Sequence, residues 1–401
     1  MKILIICVRY YPEQFSITNI AEQIALKGHN VTILTGKPNY GYGGIIPKYR
    51  KVAHEFINGV EVFRINNYAR KKSTLSLIME YLSYYFGFNS FLRKHKAKYD
   101  IVFSHVHSPI LTVVSANKYC KKNKLKHFHY GLDLWPESLI ATNTCNRNSI
   151  LYKILFAISK NAYSKIDSIA FSSPSVEWYF NNVLKLPIKI KTIYQPSLSS
   201  NNQLTQNKYG DCITKLVYIG SITKFTGISM LAEAVNRIEE KDKLKIVVVG
   251  SGSEMPKLCE TIKRLEIEKY FDVVGRLPVS ETIKYYESAD AVFIPLLDNS
   301  YTSHMIPQKV IETLKLGRPI LGMISGDGRK ILEESGGSIF CEESVEGIYN
   351  GINELMKLSI QQKKLMGTNN YAYYKSHPEF TLEYTCDAII SEMSKIIGEN
   401  N

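Results

Sequence analysis

The sequence predicts an α/β protein made of two doubly wound, Rossmann-like domains. Three observations predict it. The chain has 401 residues, more than one ordinary core accommodates. Short continuous apolar runs alternate with stretches of helical periodicity, as in parallel sheets covered on both faces. This pattern stops at the polar stretch 197–211 (SLSSNNQLTQNKYGD) and then begins again. The charge changes sign at the same place. Residues 1–195 hold 27 Lys+Arg against 10 Asp+Glu, and the remainder 23 against 27. The reading is therefore a first domain over 1–196, a linker over 197–211 and a second domain over 212–380.

In the first domain, 2–8 reads as a buried strand, 17–27 as a helix closed by Gly28, and 29–35 as the next strand, a βαβ opening. Gly36 to Gly43 is turn-rich, and 60–65 is an alternating strand. Residues 73–92 (STLSLIMEYLSYYFGFNSFL) form a helical segment with one acid, bracketed by Arg70, Lys71 and Lys72 and by Arg93, Lys94, Lys96 and Lys98. It is a core helix with basic ends, an interfacial helix on an anionic membrane, or both at once. Strands are expected over 99–105, 125–130 and 166–172, helices over 108–118 and 176–183, and a short extended piece over 190–194. In the second domain, strands over 215–219, 244–249, 271–274, 291–294 and 320–323 end at turns such as Gly220-Ser221, Gly250-Ser251-Gly252 and Gly275-Arg276. Helices are expected over 228–239, after Gly252, and over 381–397.

The most informative stretch is 303–320, SHMIPQKVIETLKLGRPI. Pro307 suits a first helical position, Val310, Ile311 and Leu314 recur at helical spacing, and Gly317 and Pro319 stop the helix. The helix is about ten residues, or roughly 15 Å. Its first turn, Ile306 to Lys309, offers unpaired N–H groups to a phosphate, and Glu312 behind it could accept two hydroxyls, such as those of a ribose.

Pro307-x-Lys309-x-x-Glu312 followed by Gly317-x-Pro319-Ile320 resembles the donor-site helix of family 4 glycosyltransferases of the GT-B fold. Lys27-Gly28-His29 with the strand after it resembles the family's second strand, and Tyr11-Pro12-Glu13 its first loop. Asp133-Leu134-Trp135-Pro136-Glu137-Ser138 is similar to a loop of the bacterial branch that builds surface polysaccharides such as O-antigen, capsule and colanic acid. The resemblance implies two domains facing a central cleft, with 381–401 crossing back to the first. It implies that Glu312 holds the nucleotide ribose, that Gly220 and Lys224 face the donor diphosphate, and that Arg276 lies near the base. Gly250 and Gly252 would let the donor approach the main chain. His304 and Met305 would line the sugar pocket, beside Ile306, Pro307, Gln308 and Lys309. Lys224 would stabilise the leaving diphosphate and Asp133 would activate the acceptor. Arg9, Tyr10, Glu13 and Glu137 are the candidates for binding it.

No Asp-x-Asp pair is present to carry a divalent metal. Diphosphate charge must then be met by helix termini and Lys/Arg, so neither a metal nor another cofactor is expected. The resemblance implies retention of anomeric configuration. The expected substrates are a nucleotide-diphosphate sugar, a UDP-sugar above all, and a polyprenyl-diphosphate-linked or other lipid-linked glycan. The transferred group would be a hexose or an N-acetylhexosamine. The basic first half needs an anionic partner, read here as a membrane surface rather than nucleic acid. Seven scattered cysteines and an N-terminus without a cleavage site fit a cytoplasmic protein, peripheral on the inner face of the plasma membrane. Two other readings stay open: a GT-B sugar-nucleotide 2-epimerase, and a non-catalytic lipid- or nucleic-acid-binding protein.

Overall fold

Along the first strand Ile3, Ile5 and Cys7 face one side of a sheet, Leu4, Ile6 and Val8 the other, and all six are buried. Alternation with both faces covered is what a central parallel strand requires. The computed structural model describes residues 1–41, 43–69, 73–106, 108–141, 145–199, 213–299 and 301–398. The basic run 70–72, His107, Cys212, the expected linker from residue 200 onward and the last residues 399–401 lie outside that description.

The chain divides into two units, Met1–Gln195 with Thr381–Asn401, and Pro196–Phe380. In the first unit the order is β1 (Lys2–Cys7), α1 (Ser16–Leu26), β2 (Asn30–Gly36), β3 (His54–Ile57), β4 (Val60–Ile65), α2 (Thr74–Lys94), β5 (Ile101–Val106), α3 (Leu111–Asn123), β6 (Lys126–Gly131), α4 (Glu137–Ala141), α5 (Ile150–Tyr163), β7 (Ser168–Phe171), α6 (Val176–Asn182) and β8 (Ile190–Thr192). The sheet order is β3-β4-β2-β1-β5-β6-β7-β8, parallel except where β3 pairs antiparallel with β4 at the edge.

The second unit runs β9 (Thr214–Ile219), α7 (Ser229–Arg237), β10 (Leu244–Val249), α8 (Met255–Arg264), β11 (Phe271–Gly275), α9 (Val279–Ser288), β12 (Ala291–Pro295), α10 (Gln308–Lys315), β13 (Ile320–Met323), α11 (Gly326–Ser335), β14 (Ser338–Phe340), α12 (Val345–Lys357) and α13 (Ile360–Ser376). Its sheet, all parallel, has the order β11-β10-β9-β12-β13-β14. The strand order reverses between β9 and β12, so loops leaving their carboxyl ends diverge and open a crevice, where ligands of such sheets bind. The last helix, α14 (Leu382–Gly398), belongs to the first unit, where Cys386, Ile389, Met393 and Ile396 join the core against Ile17, Ile20 and Ile24.

Two independent parallel sheets with helices are the expected architecture. The sequence reading has no place for β3, α4, α9, α11, β14, α12 or α13, and three further details differ. The helix expected over 108–118 begins only at Leu111, because Pro109 and the chain on either side of it stay outside, and it continues to Asn123 before Lys124 turns left-handed. Helix α5 has a strong apolar face, yet it was not expected at all. Pro307 stands at the N-cap of α10 rather than inside it, which leaves a helix of 8 residues instead of about ten.

Helix α2 combines features of both readings of its sequence. Leu77, Glu80, Tyr84, Phe88 and Leu92 are buried, while Leu75, Ile78, Met79, Leu82 and Phe86 are exposed. At 100° per residue these two sets lie on opposite sides of the helix. One side packs into the core, and the other presents an apolar ladder to the outside. Among the described residues no helix is long and apolar enough to cross a membrane.

Candidate functional site

In the second unit the turns after β9 and β10 pack main chain on main chain. Gly220 N–H donates to Val249 O at 2.9 Å, and Ile222 N–H to Ser251 O at 3.0 Å. A Cβ on Gly250 would lie 1.8 Å from Gly220 O, and one on Gly252 would lie 2.0 Å from Ile222 O. Packing of the two turns thus accounts for glycine at both positions without a ligand. Their missing side chains make room for the neighbouring turn.

Gly220 is different. A Cβ there would meet Lys309 Nζ at 2.9 Å. Lys309 reaches from the first turn of α10 to the turn after β9, with its ammonium 4.3 Å from the centre of the Tyr218 ring. That ring is held by its hydroxyl, which donates to Ser221 O at 2.5 Å. Among the described residues no carboxylate or carbonyl pairs with the Lys309 ammonium. Burial lowers its pKa to about 8. A half-buried cation with a ring face beside it is set to receive an anion. The expected diphosphate cation, Lys224, is instead exposed, on a short 3₁₀ turn.

Glu312 lies one turn further along α10. Its Oε2 accepts from Ser197 Oγ at 2.8 Å and from Leu198 N–H at 3.1 Å. Gln308 Nε2 donates to Pro196 O at 3.0 Å, and Lys315 Nζ to Ser199 O. Residues 196–199 therefore run along α10. Neither Lys309 nor Lys315 forms an ion pair with Glu312, although both stand three residues from it. Ile306 is buried, while His304, Met305 and Pro307 are half-buried on the chain leading into the helix. Arg276 is exposed beside Gly275 at the end of the edge strand β11.

In the first unit all four expected acceptor-binding residues are buried and engaged within the protein, which corrects their reading as binding groups. Arg9 is buried and pairs with Glu80 at 2.5 Å and Glu13 at 3.4 Å. Glu13 Oε1 also accepts the N–H groups of Asn39 and Tyr40, at 2.8 and 2.6 Å, tying the loop after β1 to the loop after β2. The Tyr10 ring is fully buried in the core beside Ile17 and Ile20. Glu137 has no exposure. It accepts from Tyr152 Oη at 2.6 Å and Tyr179 Oη at 3.1 Å, and it pairs with Arg147 at 2.5 Å. Burial first, and then the Glu137 carboxylate, push both phenols up. Such a carboxylate is spoken for.

Asp133, the expected activator of the acceptor, is half-buried just beyond the carboxyl end of β6. Its neighbour Trp135 is a core anchor, with Nε1 donating to Ser108 Oγ at 3.2 Å. His127 and His129 share Ser104 Oγ at 2.7 and 2.8 Å, and burial lowers both to about 3. They are neutral at physiological pH and carry no proton chemistry. Sequence reasoning missed Ser197, Leu198 and Tyr218. The first two fell in a stretch read as linker, and Tyr218 sat in a strand read only for its apolar run. Among the described residues no group of three or more His, Cys, Asp or Glu is placed to hold a metal.

Residues 213–357 match the family model described as Glycosyl transferases group 1. The uncharacterized glycosyltransferase MJ1607 of Methanocaldococcus jannaschii is 22% identical over 315 residues, 74% of this chain and 74% of that protein. Sucrose-phosphate synthase from Thermosynechococcus elongatus superposes with a TM-score of 0.76 at 12% identity, covering 100% of both chains. WaaG, a glycosyltransferase involved in lipopolysaccharide biosynthesis, gives 0.72 at 14% identity, covering 96% of this chain and 99% of its own. Anabaena HepE in complex with UDP gives 0.65 at 12% identity, covering 98% and 100%. The chain has the fold of GT-B glycosyltransferases such as WaaG, and its second unit carries a group 1 glycosyltransferase domain. Together these findings support a glycosyltransferase of the GT-B type.

Proposed function

We propose that the protein transfers a hexosyl or N-acetylhexosaminyl group from a nucleotide-diphosphate sugar, a UDP-sugar first of all, to a lipid-linked glycan in surface-polysaccharide synthesis. The reaction retains anomeric configuration and uses no metal. The observation that carries this reading is the Lys309 ammonium, half-buried over Tyr218 beside Gly220 with no counter-charge among the described residues. With the N–H groups at the start of α10, it would hold the diphosphate where negative charge develops as the sugar leaves. Glu312 would hold the ribose. The bond from the anomeric carbon to the β-phosphate oxygen breaks, and the diphosphate keeps the electron pair. An acceptor hydroxyl bonds to that carbon and gives up its proton, for which Asp133 is the proposed acceptor. That HepE was solved with UDP supports a uridine nucleotide, and WaaG's part in lipopolysaccharide biosynthesis supports a glycan acceptor.

The partner proposed for the first unit is an anionic membrane surface. The apolar ladder of α2 supports it, ending in Arg93 and Lys94 and flanked by Lys118 of α3, whose ammonium lies 4.8 Å from the Tyr85 ring. Exposed apolar side chains beside cations suit an interface with acidic lipid.

Thermal shift against UDP, GDP, ADP, CMP and their sugar forms tests the reading, because a ligand of the native state must raise the midpoint. A rise with one diphosphate, and sugar transfer that persists in EDTA, are the expected results. No shift with any nucleotide would overturn it, and activity restored only by magnesium or manganese would overturn its metal-free part.

A further inference from the structure

We propose that Ser197 is a positioning residue for the nucleotide ribose, acting through Glu312. This rests on the reading of Glu312 as the ribose acceptor and adds a group that never touches the ligand. A carboxylate oxygen has two lone-pair directions, and two donors satisfy it. Oε2 of Glu312 has both, the Ser197 hydroxyl at 2.8 Å and the Leu198 N–H at 3.1 Å. Among the described residues Oε1 receives no hydrogen bond. The carboxyl group is thereby fixed in rotation with one oxygen satisfied and the other open, the arrangement that receives the two neighbouring hydroxyls of a ribose.

Ser197 is itself held. It is 4% exposed, and its N–H donates to Phe380 O at 3.1 Å, so the two ends of the second unit meet at this residue. On either side Gln308 grips Pro196 and Lys315 grips Ser199. Gln308, Glu312 and Lys315 are four and three residues apart, one face of α10. Three side chains of one helix face therefore align a four-residue segment so that its hydroxyl and one N–H converge on a single oxygen.

The test measures affinity of the full chain for UDP, GDP and ADP and for their 2′,3′-dideoxy counterparts by titration calorimetry. The variants are Ser197→Ala, Ser197→Thr and Glu312→Gln. The expected result is that Ser197→Ala loses about tenfold in affinity for the preferred ribonucleotide, loses little for its dideoxy form, and recovers as Ser197→Thr. An equal loss for both forms would make Ser197 merely structural. Tighter ribonucleotide binding would make the segment a competitor of the ribose. Unchanged binding would leave the orientation to Leu198. Each of these overturns the proposal. Glu312→Gln separates it from the reading beneath. If that variant keeps the full preference for the hydroxylated sugar, or if no nucleotide binds the unaltered chain, the ribose role of Glu312 fails first and Ser197 falls with it.

Discussion

The Lys309 ammonium and Gly220 occupy one space: a single methyl group at residue 220 would stand 2.9 Å from Nζ. Tyr218 forms the floor of that space, its ring centre 4.3 Å from the charge. The start of α10 and the end of β9, with its aromatic ring and the glycine turn after it, thus confine one cation.

That confinement gives a pH dependence. Burial lowers Lys309 to about 8, so the charged form that attracts a diphosphate prevails below pH 8 and is lost above it. Diphosphate affinity should fall as pH rises through 8, and Lys309→Met should bind about ten- to a hundredfold more weakly at pH 7 and lose the dependence. Stability of the unliganded protein moves the other way. Between about 8 and the ordinary lysine value the unfolded chain binds the extra proton, so unfolding becomes harder with rising pH. Calorimetric titrations and melts across pH 7–10 check both signs.

Gly250 tests the packed turns. Its φ is +154°, and an added Cβ would sit 1.8 Å from Gly220 O. Neither main chain can give way without breaking the pair. Gly250→Ala should destabilise by more than about 3 kcal/mol, seen in urea unfolding. A soluble variant with an unchanged midpoint and weakened donor binding would return Gly250 to the ligand.

For Glu137 the expectation concerns stability and not binding. Tyr179→Phe removes one of the donors to a fully buried carboxylate and should cost about 1.5–3 kcal/mol. Nucleotide affinity should not change. A normal melt with impaired acceptor use would reopen the acceptor role.

Leu82→Gln with Phe86→Ser should leave the fold intact, since both side chains face outward. Each removes roughly 1.5–3 kcal/mol of apolar burial if that face enters a bilayer. Sedimentation with vesicles of phosphatidylglycerol and phosphatidylethanolamine should show binding reduced at least tenfold, and weakened by salt in the unaltered protein. Equal binding by variant and parent would remove α2 from the surface.

The architecture was legible because its signals are local: apolar runs such as 2–8 and 244–249, and the polar break at 197. What stayed hidden depends on pairs far apart in sequence. Glu80 is the one acid of its segment, and no spacing shows that it faces Arg9, 71 residues away. Glycine at 250 and 252 resembles a phosphate loop in sequence, and only the carbonyls of Gly220 and Ile222 explain it. Lys224 and Lys309 look equivalent as letters, and the seat of Lys309 over the Tyr218 ring separates them. Residues 197 and 198 read as linker because polar composition is shared by tethers and by segments held on a helix face.

The return of α14 to the first unit also bears on the order of assembly. The ribosome makes the sheet of that unit first, but Cys386, Ile389, Met393 and Ile396, which close one side of it, come last. At about 5–20 residues per second, the nascent first half waits roughly ten to forty seconds with α1 on that side, and with the place of α14 beside it still open, while the second unit is synthesised. The second unit is contiguous and complete on emergence. The half made later is therefore the first able to finish folding, and the earlier half completes its core only when α14 arrives.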